Sequence, residues 1–307
     1  MPIGNDFGRI RQEEKTMQAT IQNEFLTLTA DTLGAEMVSV KNKQGEEMLW
    51  CGDPQAWAGH APILFPWAGN YADGFTYEGK QYPGCRHGFA RKMEYTLLQA
   101  EGDSMTFELT SSEETKTKYP FDFVLTVTYQ LVGQKVQLRV TVTNKSGEKM
   151  PFGLGFHPGF AIPFDANHTT EDYEFRFDKV ENPILIDTAP RGLASGKCSI
   201  LGTGMENIPL TDKLFANDSL CLTGLNSSTL GIYEKDTGRH ISCDIAGFPY
   251  TLLWSAPTET VRFVCIEPWC TLPGAEGGGM ELSEHPAAAV LEPGASDTTI
   301  LNIHFAR

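Results

Sequence analysis

Two segments lying more than a hundred residues apart each set one ionisable side chain among apolar neighbours, with a proline directly after it. The first runs Gly153-Leu-Gly-Phe-His157-Pro-Gly-Phe160, the second Val264-Cys-Ile-Glu267-Pro-Trp269. An imidazole or a carboxylate is costly to bury unless it is hydrogen-bonded or its ionisation is used, so His157 and Glu267 are candidates for an acid/base pair. One group accepts a proton while the other donates one, and each positioned group is worth about 10²- to 10⁴-fold in rate. A nearby carboxylate raises the pKa of a histidine, which would favour an acid role for His157. The plainer alternatives are a histidine satisfied within its own strand end and a glutamate paired with Arg91 or Arg262.

The elements that must position these residues are strands. Alternation of apolar and polar residues marks 25–29, 93–98, 105–109, 173–177, 230–233, 240–245, 250–254, 261–266 and 298–305. Residues 123–131 and 136–143, separated by a turn at Gly133, read as one long hairpin rich in β-branched residues. Thirty glycines and eighteen prolines suit the many turns this requires. Only 111–118 and 211–216 offer short helices. The expected fold is all-β, a large antiparallel sandwich. No repeat or linker divides residues 17–307, which are expected to form a single domain, whereas the polar residues 1–16 look like a loose leader or a start assigned too far upstream.

Composition narrows the partners. The 39 acidic and 24 basic side chains give a formal charge of -15, which disfavours nucleic acid and anionic membrane surfaces. There is no apolar run of about 18 residues and no secretory pattern at the N-terminus, so a cytoplasmic protein with a neutral small-molecule partner is expected. The seven cysteines form no CxxC pair, and reduced thiols are expected. Walker A, GxGxxG, HExxH and GxSxG patterns are all missing. Residues 165–171 lack the glycine and spacing of a calcium loop and read as a solvated loop. The glycine-rich run 274–279 has no following Lys-Ser/Thr and reads as a loop at a site rim rather than a phosphate cradle.

Several motifs in serial order carry a resemblance. They are Gly34-Ala-Glu36, LWCGDPQAW (49–57), APILFPWAGN (61–70), RHGFAR (86–91), GFHPGF (155–160), GFPY (247–250) followed by Trp254, CIEPW (265–269) and LEPG (291–294). In wording and order they resemble the aldose 1-epimerase (galactose mutarotase-like) superfamily, in particular its LacX-like branch, over essentially the whole chain from Met17. The resemblance implies a β-sandwich whose concave face holds a pyranose such as glucose or galactose. It implies that His157 protonates the ring oxygen, that Glu267 takes the proton of the C1 hydroxyl, that His87 binds near both, and that no metal or organic cofactor is needed.

Around that centre, Trp67, Phe156, Trp254 and Trp269 are candidate apolar faces for the sugar ring, and Asn70, Arg86 and Asp218 are candidate hydrogen-bonding groups. Trp50 and Trp57 are expected in the core, and Arg91 as a structural ion-pair partner. The chain departs from many relatives in having Asn70 where they place a sugar-contacting arginine and Trp269 where they place glutamine. The expected activity is aldose 1-epimerisation. Its rivals are a hexose 6-phosphate 1-epimerase, a catalytically silent sugar-binding or regulatory protein, and, more remotely, a glycosidase using Asp218 or Asp244 as a second carboxylate.

Overall fold

The computed structural model describes residues 16–188, 192–276, 280–285 and 288–306. The leader expected at 1–16 therefore lies outside the described residues except for Thr16. The hairpin expected around Gly133 forms between Phe123–Val132 and Lys135–Asn144, in register from Val132 opposite Lys135 to Phe123 opposite Asn144. Its alternate residues Phe123, Leu125, Val127, Tyr129 and Leu131 are buried, as are Val136, Leu138, Val140 and Val142 from the partner strand. Each such side chain contributes about 1.5–3 kcal/mol on burial. Ser296–Ala306 pairs with the second arm, and the sheet grows outward to nine antiparallel strands, ending at Met205–Pro209 on one side and Thr96–Glu101 on the other.

A second, eight-stranded sheet packs against it. Its order is Cys198–Ile200, Ile184–Ile186, Leu220–Thr223, Tyr250–Trp254, Phe263–Trp269, Gly155–Phe156 and Ile63–Leu64, with Gly159–Ala161 also paired to Phe263–Trp269. Val127, Val140, Ile232 and Ile303 of the first sheet share one apolar cluster with Leu222, Leu253, Val264 and Ile266 of the second. The architecture is thus an antiparallel sandwich. A three-stranded sheet (Gln18–Gln22, Leu26–Asp31, Met37–Asn42) precedes it in the chain.

Because side chains alternate across a strand, Phe263–Trp269 serves two environments. Val264 and Ile266 enter the shared core, while Cys265, Glu267 and Trp269 point to the other face of the sheet. The whole strand is buried, so residues covering that second face wall in a cavity there.

Of the two expected helices, the first contains a single turn, Glu113–Lys116, held by a capping box between Ser112 and Thr115. The second is a succession of turns instead, with Leu214, Ala216 and Asp218 N–H groups donating three residues back, and these turns deliver Asp218 to the cavity. Residues 165–171 are more tied down than a solvated loop. Asp165 accepts from His168 Nδ1 at 2.7 Å and pairs with Arg239, which also pairs with the buried Glu234. All seven cysteines are free. Among the described residues no helix is long and apolar enough to cross a membrane.

Candidate active site

Sheet register brings the two opening residues together. Gly155 lies opposite Trp269 and Gly159 opposite Cys265, so His157, midway between the glycines, faces Glu267. The His157 Nε2 to Glu267 Oε2 distance is 3.4 Å, and only 8% and 2% of the two side chains are exposed. A Cβ at Gly155 would stand 2.8 Å from the Trp269 ring, and one at Gly159 2.9 Å from the Trp57 ring. The glycines flanking His157 are therefore what lets two indoles close in beside it.

The imidazole of His157 sits in an aromatic setting. Trp57 stacks on it with centroids 4.7 Å apart and planes inclined by 25°. Trp254 and His87 present themselves nearly perpendicular, at 5.6 Å and 5.3 Å. Trp57 itself is placed by its loop, since its carbonyl accepts from Trp50 Nε1 at 2.7 Å and its N–H donates to Asp53 O at 2.8 Å. Glu36, from the early Gly-Ala-Glu motif, anchors the next stretch by accepting from the N–H groups of His60 and Ala61 at 2.6 Å and 2.9 Å.

His87 has a positive φ of 64°, a left-handed conformation uncommon for a histidine. Its N–H donates to Gly69 O at 2.7 Å, and its Nδ1 accepts from Gly69 N–H at 3.1 Å. A ring nitrogen that accepts carries no proton, so the neutral ring bears its hydrogen on Nε2. Burial, with His157, Arg91 and Arg86 nearby, holds its pKa well below the usual histidine value. His87 is thus a neutral hydrogen-bond donor rather than an acid.

The same forces act on the central pair. Burial pushes His157 down to about 3, with Arg91 and Arg86 adding to the effect. Burial pushes Glu267 up, helped by Asp218 and opposed by Arg86 and by Trp269, although the Trp269 indole N–H makes no full hydrogen bond. The expectation that a nearby carboxylate would raise His157 is therefore corrected, because the loss of solvation outweighs the attraction. The pair holds one proton between them, and the two arrangements of that proton, acid with imidazole or carboxylate with imidazolium, titrate as a unit.

These residues line a cavity of about 210 Å³ together with Asn70, Arg86, Asp218, Trp254 and Trp269. Asn70 is anchored, its Oδ1 accepting from Ala72 N–H at 2.8 Å and its carbonyl from Gly274 N–H at 3.0 Å. Asp218 accepts from Ser219 N–H at 2.8 Å and also has a positive φ, 89°. Two expected sugar contacts are elsewhere. Trp67 is 1% exposed within the shared core, with its Nε1 donating to Cys85 O at 2.8 Å, and Phe156 lies on the pleat face opposite His157, against Phe248. Alternation explains Phe156, which neighbours the cavity residue His157 and so points away from it, whereas Trp67 is held in the core by its bond to the Cys85 carbonyl.

Trp57 and Arg91 are the converse cases. Trp57 lines the cavity instead of the core, and Arg91 lines it too, making no ion pair among the described residues. Arg262, the other partner considered for Glu267, is paired with Asp53 at 2.8 Å. Asp244 is held by Asn302 and His304 on the nine-stranded sheet, away from the cavity. Thr188, Ser219 and Pro273 also line the site and carried no sequence signal, since they lie in loops just outside the strands Ile184–Ile186, Leu220–Thr223 and Phe263–Trp269. Of the glycine-rich run, Gly274 is held by Asn70, while 277–279 lie outside the described residues.

Comparison with known proteins agrees with this fold. The family model for aldose 1-epimerase matches residues 17–273. The plasmid LacX protein of Lactococcus lactis subsp. lactis is 33% identical over 301 residues, covering 93% of this chain and all of that protein. An Escherichia coli K12 protein provisionally named a glucose-6-phosphate 1-epimerase is 29% identical over 200 residues, 61% of this chain and 59% of that one. Among solved structures, a galactose mutarotase related enzyme from Lactobacillus acidophilus superposes with a TM-score of 0.90 at 30% identity, covering 95% of this chain and 98% of its own. A galactose mutarotase-like protein from Lactobacillus casei gives 0.88 at 29%, covering 94% and 99%. With the sandwich, the opposed histidine and glutamate and this match over most of its length, the chain belongs to the aldose 1-epimerase family and is an isomerase acting on a sugar.

Proposed function

We propose that the enzyme interconverts the α and β anomers of an aldohexose such as glucose or galactose, without a cofactor. In the reactive arrangement the pair is imidazolium and carboxylate. Glu267 takes the proton of the C1 hydroxyl as His157 gives one to the ring oxygen, the bond from C1 to the ring oxygen breaks, and C1 becomes an aldehyde. Both side chains are then neutral, which is the state their burial favours. Rotation about C1–C2 presents the other face of the aldehyde, and reversal of both transfers closes the ring as the opposite anomer. The Nε2–H of His87 is available to bind an oxygen near the reacting centre, and Trp254 and Trp269 offer apolar faces to the ring.

The observation that supports this most directly is the buried, opposed placement of His157 and Glu267 at 3.4 Å. Polarimetry on freshly dissolved α-glucose and α-galactose tests it. His157→Ala and Glu267→Gln are each expected to slow anomer exchange by at least about 10²-fold with the fold intact. Near-wild-type rates in either variant would sink the mechanism, and a wild-type chain without activity would favour the silent sugar-binding reading. We also read residues 17–307 as one domain, because both sheets share a core, and the seven free thiols as suited to the cytoplasm.

A second reading, a hexose 6-phosphate as substrate, is favoured by two arginines at the cavity, Arg86 and Arg91, and by the E. coli relative. Rates on glucose and on glucose 6-phosphate separate the two. Free sugar is expected to be the faster, and a glucose 6-phosphate kcat/KM higher by tenfold or more, roughly 1.4 kcal/mol, would reverse the assignment.

A further inference from the structure

Beside the cavity, behind two of its lining residues, lies a group that the proposed reaction does not use. Cys265 lies two residues before Glu267 on the same strand and the same pleat face, fully buried, and Trp254 is its cross-strand neighbour. One ligand atom each from His157, Cys265 and Glu267 falls within 4.8 Å of the other two. Around a tetrahedral zinc ion such atoms stand roughly 3.3–3.8 Å apart, given metal–ligand bonds of about 2.0–2.3 Å. Closing the difference takes about 1 Å of side-chain movement. The imidazole is also poised for it, because a proton on Nδ1, which is buried with no partner in another residue, leaves the Nε2 lone pair facing Glu267.

We propose that these three residues form a binding site for a thiophilic divalent cation of the Zn²⁺ class, and that the ion acts as a competitive inhibitor. A nitrogen, a thiolate and a carboxylate are the ligand types zinc takes in open, three-residue sites, where the fourth position is left to water or another small molecule. Here two of the three ligands, His157 and Glu267, line the cavity, so an ion held by them stands next to it. On coordination, Cys265 gives up its thiol proton and the His157–Glu267 pair gives up the one it shares. The ion then occupies the imidazole lone pair and the carboxylate that proton transfer requires. Asp218 adds a further nearby negative charge, since it lies close enough to Glu267 to raise its pKa. The inhibitory arm rests on the epimerase reading, whereas the binding arm does not.

Co²⁺ titrated into the full chain and followed by absorbance tests the site. A near-ultraviolet sulfur-to-cobalt charge-transfer band is expected, displaced by Zn²⁺ and absent in both Cys265→Ser and Cys265→Ala. The two exposed cysteines, Cys51 and Cys198, remain in both variants and so supply the background. Zn²⁺ inhibition of anomer exchange is expected to weaken at least about tenfold in both variants and to be relieved by excess glucose. No Cys265-dependent band, or equal Zn²⁺ sensitivity in wild type and both variants, would overturn the proposal. A Cys265-dependent band in a chain that exchanges no anomers would leave the site standing and remove the epimerase reading instead.

Discussion

Gly69 and His87 are joined by two reciprocal hydrogen bonds, backbone to backbone at 2.7 Å and backbone N–H to imidazole Nδ1 at 3.1 Å. The second commits the ring to a single neutral tautomer and points its only donor elsewhere. His87 is therefore expected to show no titration in nitrogen-detected NMR between pH 5 and 8. His87→Asn, which tolerates the left-handed backbone, should slow exchange by about 10²-fold, as loss of one positioned donor does. A His87 ring that titrates near 6.5 would contradict the tautomer assignment.

The His157–Glu267 pair fixes a pH dependence of stability. Folded, it holds one proton from about pH 3 to well above 4.5. Unfolded, two ordinary groups hold two protons below 4.5, one between 4.5 and 6.5, and none above 6.5. Stability from this pair is therefore greatest between those two values. It falls on acidification because the unfolded chain binds more protons, and falls with rising pH wherever the folded glutamate keeps its proton after the unfolded pair has lost both. Each pH unit in either limb costs at most about 1.4 kcal/mol. In Glu267→Gln only the lowered histidine remains, so the alkaline limb should vanish and Tm at pH 8 should rise above wild type. Equal Tm values at pH 8 would refute this account. Activity should also be bell-shaped in pH, with both arms belonging to the pair.

Trp57 faces the imidazole closely enough to stabilise its cationic form. Such contacts are worth about 0.5–2 kcal/mol. Trp57→Leu is expected to lower kcat by about 3- to 30-fold with little change in KM, and Trp57→Phe to restore most of it. A higher KM at unchanged kcat would make Trp57 a sugar platform instead.

Trp67 gives the opposite expectation. Its indole packs in the core and its N–H holds the carbonyl of Cys85, directly before Arg86 and His87. Trp67→Phe should cost about 1–3 kcal/mol in stability, measured by urea unfolding, without raising KM for the sugar. A raised KM at full stability would return Trp67 to the binding surface.

Much of this was legible in the chain. The long hairpin, the strand 250–254 and the final strand follow from alternation, which survives because one face of each is core. Short strands such as Ile184–Ile186 and Cys198–Ile200 have too few residues to show a period. His157 and Glu267 stand out as ionisable groups among apolar residues, and the motifs suggest the roles proposed for them. The faces of Trp57, Trp67 and Phe156 were not legible, because each depends on which way a pleat or loop turns and an error of one residue reverses the answer. The lowered His157 was not legible either, since sequence shows the neighbouring carboxylate but not how little water reaches it.

The buried pair has a consequence for inheritance. A single change, Glu267→Gln, keeps the shape of the cavity and relieves the fold of a group that burial disfavours. A lineage no longer selected for turnover would therefore meet no folding barrier to losing it, and would drift toward a sturdier protein that still keeps the cavity. Loss of chemistry in such a scaffold runs downhill, and only continued use holds the carboxylate in place.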